Sequence, residues 1–331
     1  MHAQQEDILP LSDLALADLR AFRPTVREPA DFDDFWSRTL AEANTHDLSL
    51  RVDALATVYR TIDVHDVSFA GSGGDRINAW YTRPAGVDQD LPVVVEFIGY
   101  GGGRGLAGQA LHWASAGFAH LYVDTRGQGM SWGDGGSTAD TAGSEPTSPG
   151  FMTRGILDPE TYYYRRVFTD AVRAVHAARA LPGVDVDQVA VQGISQGGGI
   201  TLAVAGLVPD LVAVMPDVPF LCHFERALDV SATDPYGEIT RYLAVNRHSD
   251  EQVLSTLSYF DGVNFAKRAT APALFSAAGM DGICPPSTVF AAFNAYRPDD
   301  KAIEFYRYNG HEGGTGHQRE AQTRWLSARV R

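Results

Sequence analysis

The sequence is poor in sulfur and in positive charge. Its 331 residues include two cysteines, Cys222 and Cys284. That is too few for a disulfide framework, and it suits a reducing compartment. Lys and Arg number 27 against 41 Asp and Glu, a formal net charge of -14 with no basic run. Such a chain is a poor binder of phosphate backbones, so no nucleic-acid partner is expected; the acidic surplus reads as a soluble, self-repelling surface. A long hydrophobic run is also missing. The longest apolar stretch, around Ile200 to Val218, is interrupted by Pro209, Asp210 and Pro216, whereas a membrane-spanning helix needs about 20 apolar residues. Met1 to Leu11 carries Glu6 and Asp7 and has no basic residue ahead of an apolar core, unlike a secretory signal. No membrane partner and a cytoplasmic location are therefore expected. The 33 Gly and 17 Pro follow no short period, which excludes collagen-like and low-complexity chains.

What remains has the balance of a globular protein, 44% hydrophobic and 21% charged. Strand-like and helix-like segments alternate, which argues an α/β fold with a mostly parallel central sheet. Leu91–Ile98, Phe118–Asp124, Gln188–Gln192, Leu211–Met215, Pro272–Ala277 and Ala302–Tyr308 read as short buried strands. Thr161–Leu181 is the clearest helix: Tyr164, Val167, Phe168, Ala171, Val172, Val175 and Ala178 repeat at three-four spacing. Gly197–Leu207, Ser287–Tyr296 and Thr315–Val330 are further helices. Val58–Thr82 alternates around Gly71–Gly74 and predicts an antiparallel hairpin at a sheet edge. One domain over 1–331 is expected, with a helical extension at about 1–53 and an inserted segment at about 217–265. Met130–Gly150, rich in Gly, Ser, Thr, Asp and Pro, reads as a long loop.

The sharpest local feature is Gly193-Ile194-Ser195-Gln196-Gly197, which follows one predicted strand and opens a helix. A serine there sits on a tight strand-to-helix turn, its hydroxyl exposed and its neighbours kept small by steric need. The backbone N–H of Gln196 points to the same place and suits an oxyanion. A Gly-rich helix start that packs closely or binds an anion is the bland alternative. Serine needs a base, and this turn predicts the chain order Ser, acid, His. His311 follows the Ala302–Tyr308 strand and Gly310, and is favoured over His317, which falls in the last helix. Asp281 lies just past the Pro272–Ala277 strand, 86 residues after Ser195 and 30 before His311; its alternative is a loop carboxylate or helix cap. A second oxyanion donor is expected from Gly99-Tyr100-Gly101-Gly102-Gly103, with the N–H of Tyr100 as donor and Tyr100 also touching substrate. That loop lacks the Walker and Rossmann spacings, so no nucleotide is expected.

Arg126-Gly127-Gln128-Gly129, the serine turn and His311-Glu312 occur in that order. As a set they closely resemble carbohydrate esterase family seven, the acetyl xylan esterases that are also cephalosporin C deacetylases. The likeness extends through Gly150–Asp158, Tyr162–Arg166, Asp217–Cys222 and Asp281–Phe290. It implies an α/β-hydrolase fold, Ser195, Asp281 and His311 as a triad, an oxyanion hole from the amides of Tyr100 and Gln196, and no metal or cofactor. It also implies acetylated xylo-oligosaccharides and cephalosporin C as substrates, and a hexamer in which the insertion forms subunit contacts. Two departures show: Gly101 stands where the family usually has Asn, and Ala278-Gly279-Met280 where Gly-Leu-Met is commoner. A peptidase or amidase on the same fold is the alternative, and a non-catalytic binding protein a more distant one. An ion pair between Arg126 and Glu312 is expected to steady the histidine loop. Arg104 is the candidate for offsetting the acidic field near an anionic substrate.

Overall fold

The architecture of the computed structural model follows from a row of β-branched strands that bury both faces. Residues 13–142, 147 and 149–330 are described. All of Met1–Leu11, and part of the Met130–Gly150 loop, therefore lie outside the described residues.

Among the described residues nine strands form one sheet: β1 (Arg51–Ala54), β2 (Ile62–Ala70), β3 (Arg76–Pro84), β4 (Leu91–Phe97), β5 (Ala119–Val123), β6 (Val184–Ile194), β7 (Ala213–Asp217), β8 (Ala273–Ala278) and β9 (Lys301–Tyr306). Their order is β1-β2-β3-β5-β4-β6-β7-β8-β9. The expected hairpin is present, with β2 and β3 antiparallel from Ile62↔Pro84 to Ala70↔Arg76. From β5 to β9 all neighbours are parallel. Alternation within β4 shows why both faces are covered: Val93, Val95 and Phe97 join the larger core, while Val94 joins a second core with Trp113, Met215 and Leu326.

The helices are α1 (Leu16–Ala21), α2 (Phe32–Ala43), α3 (His112–Ser115), α4 (Tyr163–Arg179), α5 (Gln196–Leu207), α6 (Phe224–Val230), α7 (Tyr236–Val245), α8 (Asp250–Ser258), α9 (Gly262–Ala266), α10 (Pro286–Ala295) and α11 (Thr315–Ser327). Ahead of β1 the described residues hold α1 and α2; β1 was not foreseen, because Arg51–Ala54 is mostly exposed and carries no apolar alternation. The insertion between β7 and β8 holds α6 to α9. Helix α4 is buried beyond its apolar stripe, with Asp170 and Arg173 inside. None of the described helices is long and apolar enough to cross a membrane.

Asp170 explains a correction. Arg126 does not pair with Glu312. Its guanidinium, fully buried, donates to Asp170 at 2.6 and 2.8 Å and to Asp75 at 3.0 Å, while Glu312 accepts from Asn309. Arg126 follows β5 and Glu312 follows β9, five strand spacings apart in the sheet order. At about 4.8 Å each, that is roughly 24 Å, too far for an ion pair. Arg104 is likewise turned inward, 8% exposed and bonded to Asp66 at 2.6 Å. It offers no free positive group to a substrate.

Candidate active site

The carboxyl ends of β4, β6, β7, β8 and β9 bring the predicted residues together. Ser195 sits between β6 and α5 with φ 57 and ψ -119, a conformation non-glycine residues hold only when their surroundings impose it. Here they do. Its N–H donates to the Asp217 carbonyl at 2.9 Å, and its carbonyl accepts from Phe220 N at 2.9 Å. Gly197 lets the turn close: a Cβ there would run into the Phe97 carbonyl at the end of β4.

His311 Nε2 lies 2.8 Å from Ser195 Oγ, and His311 Nδ1 lies 2.9 Å from Asp281 Oδ2. A carboxylate only accepts, so Nδ1 carries the proton and Nε2 is free to accept from the serine hydroxyl. Asp281 Oδ1 accepts from the amides of Ile283 at 2.9 Å and Cys284 at 2.8 Å. The loop-carboxylate alternative thus coexists with the imidazole contact, one oxygen for each. His317 falls in α11 and is exposed.

The glycine-rich loop after β4 faces the serine turn, and two glutamines tie the two together. Gln128 Oε1 accepts from Gly101 N at 2.7 Å, and Gln128 Nε2 donates to Gln196 Oε1 at 2.8 Å. Gln196 Nε2 donates to the Ile98 carbonyl at 3.1 Å, and Tyr164 OH donates to Gln196 Oε1 at 2.9 Å. Both side chains are fully buried. Gln196 therefore presents its backbone N–H at the helix start while its side chain holds the opposite loop. Gly101 has φ 77, and a Cβ there would press on Ser131. That accounts for glycine where the resemblance leads one to expect Asn, which also tolerates this region.

Ser195 and His311 line a cavity of about 430 Å³ with Tyr100, Trp132, Pro149, Pro235 and Ile283. The Trp132 ring is half exposed, lies against Gly102, and donates from Nε1 to the Tyr100 carbonyl at 2.7 Å. Beneath the site Asp217 is buried, with the Ser276 hydroxyl donating to it. Burial pushes its carboxyl up to about 6, against the pull of that hydrogen bond and of His311. Asp281, Cys284 and His311 place a carboxylate, a thiol and an imidazole within 4.8 Å. The carboxylate and imidazole are bonded to each other, and burial pushes the Cys284 thiol well up. A carboxylate bonded to an imidazole that in turn reaches a serine hydroxyl is the arrangement of a proton relay.

Ser195, Asp281, His311, Tyr100 and Gln196, the candidates read from the sequence, lie together here; Gln128, Trp132 and Tyr164 were not among those candidates. Gln128 sits inside the Arg126–Gly129 motif, which was a usable signal. Trp132 lies in a loop whose path no local pattern encodes.

The family model described as acetyl xylan esterase (AXE1) matches residues 9–329. The chain is 40% identical to the acetyl xylan esterase from Paenibacillus sp. R4, with a TM-score of 0.89 over 96% of this chain and 100% of that one. Acetyl xylan esterase 1 from a Thermoanaerobacterium species is 34% identical, with a TM-score of 0.86 over 95% of this chain and 99% of the other. Among curated proteins, acetyl esterase Axe7A of Xylanibacter ruminicola is 29% identical over 278 residues, 82% of this chain. The chain spans 61% of that relative's length.

Proposed function

The chain belongs to the acetyl xylan esterase family, and from that premise we propose that it is a serine esterase removing acetyl groups from acetylated xylo-oligosaccharides. The observation that carries the proposal is the Ser195–His311–Asp281 relay, 2.8 and 2.9 Å long, opening on one cavity. Ser195 Oγ attacks the acetyl carbonyl as His311 Nε2 takes its proton. The amides of Tyr100 and Gln196 receive the oxyanion. His311 returns the proton to the sugar oxygen, which leaves as the alcohol, and Ser195 keeps the acetyl group. Water then attacks with His311 as base and releases acetate. Asp281 holds the imidazole tautomer and stabilises its charged form.

The half-exposed Trp132 ring supports a sugar as the alcohol part, since an aromatic face packs on a pyranose ring. Deacetylation of cephalosporin C belongs to the same proposal and rests on the family resemblance alone. So does a hexamer. Two buried cysteines without a disulfide fit a cytoplasmic placement.

The test uses p-nitrophenyl acetate, acetylated xylo-oligosaccharides and cephalosporin C, with Ser195→Ala as control. Hydrolysis is expected to fall at least about 10³-fold in the variant while the fold is kept. Retained turnover without the hydroxyl would refute the mechanism. Light scattering of the purified protein reads the assembly.

A further inference from the structure

The oxyanion loop has a second anchor, and its far end lies in the inserted segment. The Tyr100 hydroxyl donates to Glu238 Oε1 at 2.7 Å and accepts from the amides of Phe151 at 2.9 Å and Gly150 at 3.3 Å. Glu238 Oε2 accepts from Met152 N at 3.1 Å. The Tyr100 ring meets Phe151 edge-on at 5.6 Å and Phe220 at 6.4 Å. On the backbone side, Trp132 Nε1 holds the Tyr100 carbonyl. The residue is thus fixed at both ends, by its phenol and by its peptide.

Glu238 is in the first turn of α7 and is 8% exposed. A buried carboxylate is costly unless compensated. The described residues give it no ion pair, since Arg241 pairs with Asp234 at 2.8 Å instead. Burial pushes the Glu238 carboxyl up, and the bonds from Tyr100 and Met152 work against that push. A neutral or apolar residue would pack here at lower cost. The carboxylate does what such a residue does not: it accepts from two donors that belong to two different loops of the site. Helix α7 also begins at the cavity rim, because Asp234 and Pro235 line it.

We propose that Glu238 is a positioning residue that sets the Tyr100 amide in the oxyanion hole through the Tyr100 phenol, so that the inserted segment controls transition-state stabilisation. The inference rests on the reading of Tyr100 N–H as an oxyanion donor for acetyl esters. An interaction formed only with the oxyanion affects kcat rather than KM. Displacements well under 1 Å matter, because about 1 Å of misplacement costs roughly 10²-fold in rate.

The experiment compares wild type, Glu238→Gln, Tyr100→Phe and the double variant on p-nitrophenyl acetate. Wild type must first hydrolyse the ester and Ser195→Ala must not; failure there sinks the esterase reading and not the clamp. Given that, Glu238→Gln keeps the side-chain size but sets an amide NH₂ against one of the two donors. It is expected to lower kcat about tenfold with KM within about twofold. Inhibition by phenylboronic acid, whose tetrahedral adduct fills the oxyanion hole, is expected to weaken by a similar factor. Tyr100→Phe keeps the ring packing and cuts the same link, so the double variant should be no slower than the slower single one. Unchanged kcat in both singles, a change in KM alone, or multiplied losses in the double variant would overturn the inference. Should Glu238→Gln fail to fold, Glu238→Asp, which keeps the charge and shortens the reach to the phenol, takes its place, and unchanged kcat with unchanged boronic acid inhibition would overturn the inference.

Discussion

At Asp217 a single carboxyl group links stability to pH. It ends β7 below the catalytic groups, and its surroundings include the Ser276 hydroxyl, His311, Arg319 and Glu96. Burial raises its pKa to about 6 in the folded chain, against about 3.9 unfolded. The folded state therefore holds this proton more tightly. The resulting stability is complete below about pH 4 and is lost as pH rises through about 6. Asn cannot ionise, yet its carbonyl still accepts from Ser276. Asp217→Asn is expected to be more stable than wild type above pH 7 by up to about 3 kcal/mol, two pKa units at about 1.4 each. The difference should shrink toward pH 4. Urea unfolding of both proteins at pH 4.5 and pH 8 measures this, and a gap that does not widen with pH contradicts it.

At the scale of elements, the approach of α5 to β4 places nucleophile and oxyanion loop side by side. Gly197 makes the approach possible. A Cβ on it would lie 2.7 Å from the Phe97 carbonyl carbon and 3.3 Å from Ile98 N, backbone atoms that cannot swing aside. Gly197→Ala is expected to cost about 1–3 kcal/mol as overpacking and to lower kcat by pushing the serine turn off the Gly99–Gly103 loop. The same substitution at Gly316 in α11, where a Cβ meets nothing within 4 Å, should be neutral or stabilise by up to about 1 kcal/mol. Thermal unfolding of the pair separates the steric effect from a general one. The turn itself was legible from Gly193-Ile194-Ser195-Gln196-Gly197, because the constraint lies within five residues. The tie through Gln128 was not, because it joins residues 68 positions apart.

For the whole molecule, the Arg126 cluster fastens the hairpin to the helical layer. The guanidinium joins Asp75 beside the β2–β3 turn, Asp170 of α4 and, at 3.4 Å, Asp140 of the long loop. Burial lowers its proton affinity, but Asp170, Asp140 and Asp75 outweigh that and hold the charge. Arg126→Met leaves carboxylates buried without their cation and is expected to cost about 3–5 kcal/mol. Arg126→Met with Asp170→Leu should recover part of the loss, since an apolar replacement of a buried pair is often near neutral. Urea midpoints at constant slope test both. Equal destabilisation by the single and double variants would count against this account.

The chain order of the chemistry, Ser195, Asp281, His311, is legible in the amino-acid sequence. Turn geometry at Ser195, the strand-end positions of Asp281 and His311, and the α/β alternation are written in short segments, where sterics and hydrophobic period act locally. Which distant groups share a site is set by strand pairing and packing. Arg126 and Glu312 both follow strands toward one sheet edge, yet the order β5-β4-β6-β7-β8-β9 keeps them apart. Tyr100 and Glu238, 138 positions apart, meet because the insertion folds back over the oxyanion loop. Chain order fixes which residues follow a strand, whereas strand pairing and the packing of the insertion fix which of them touch.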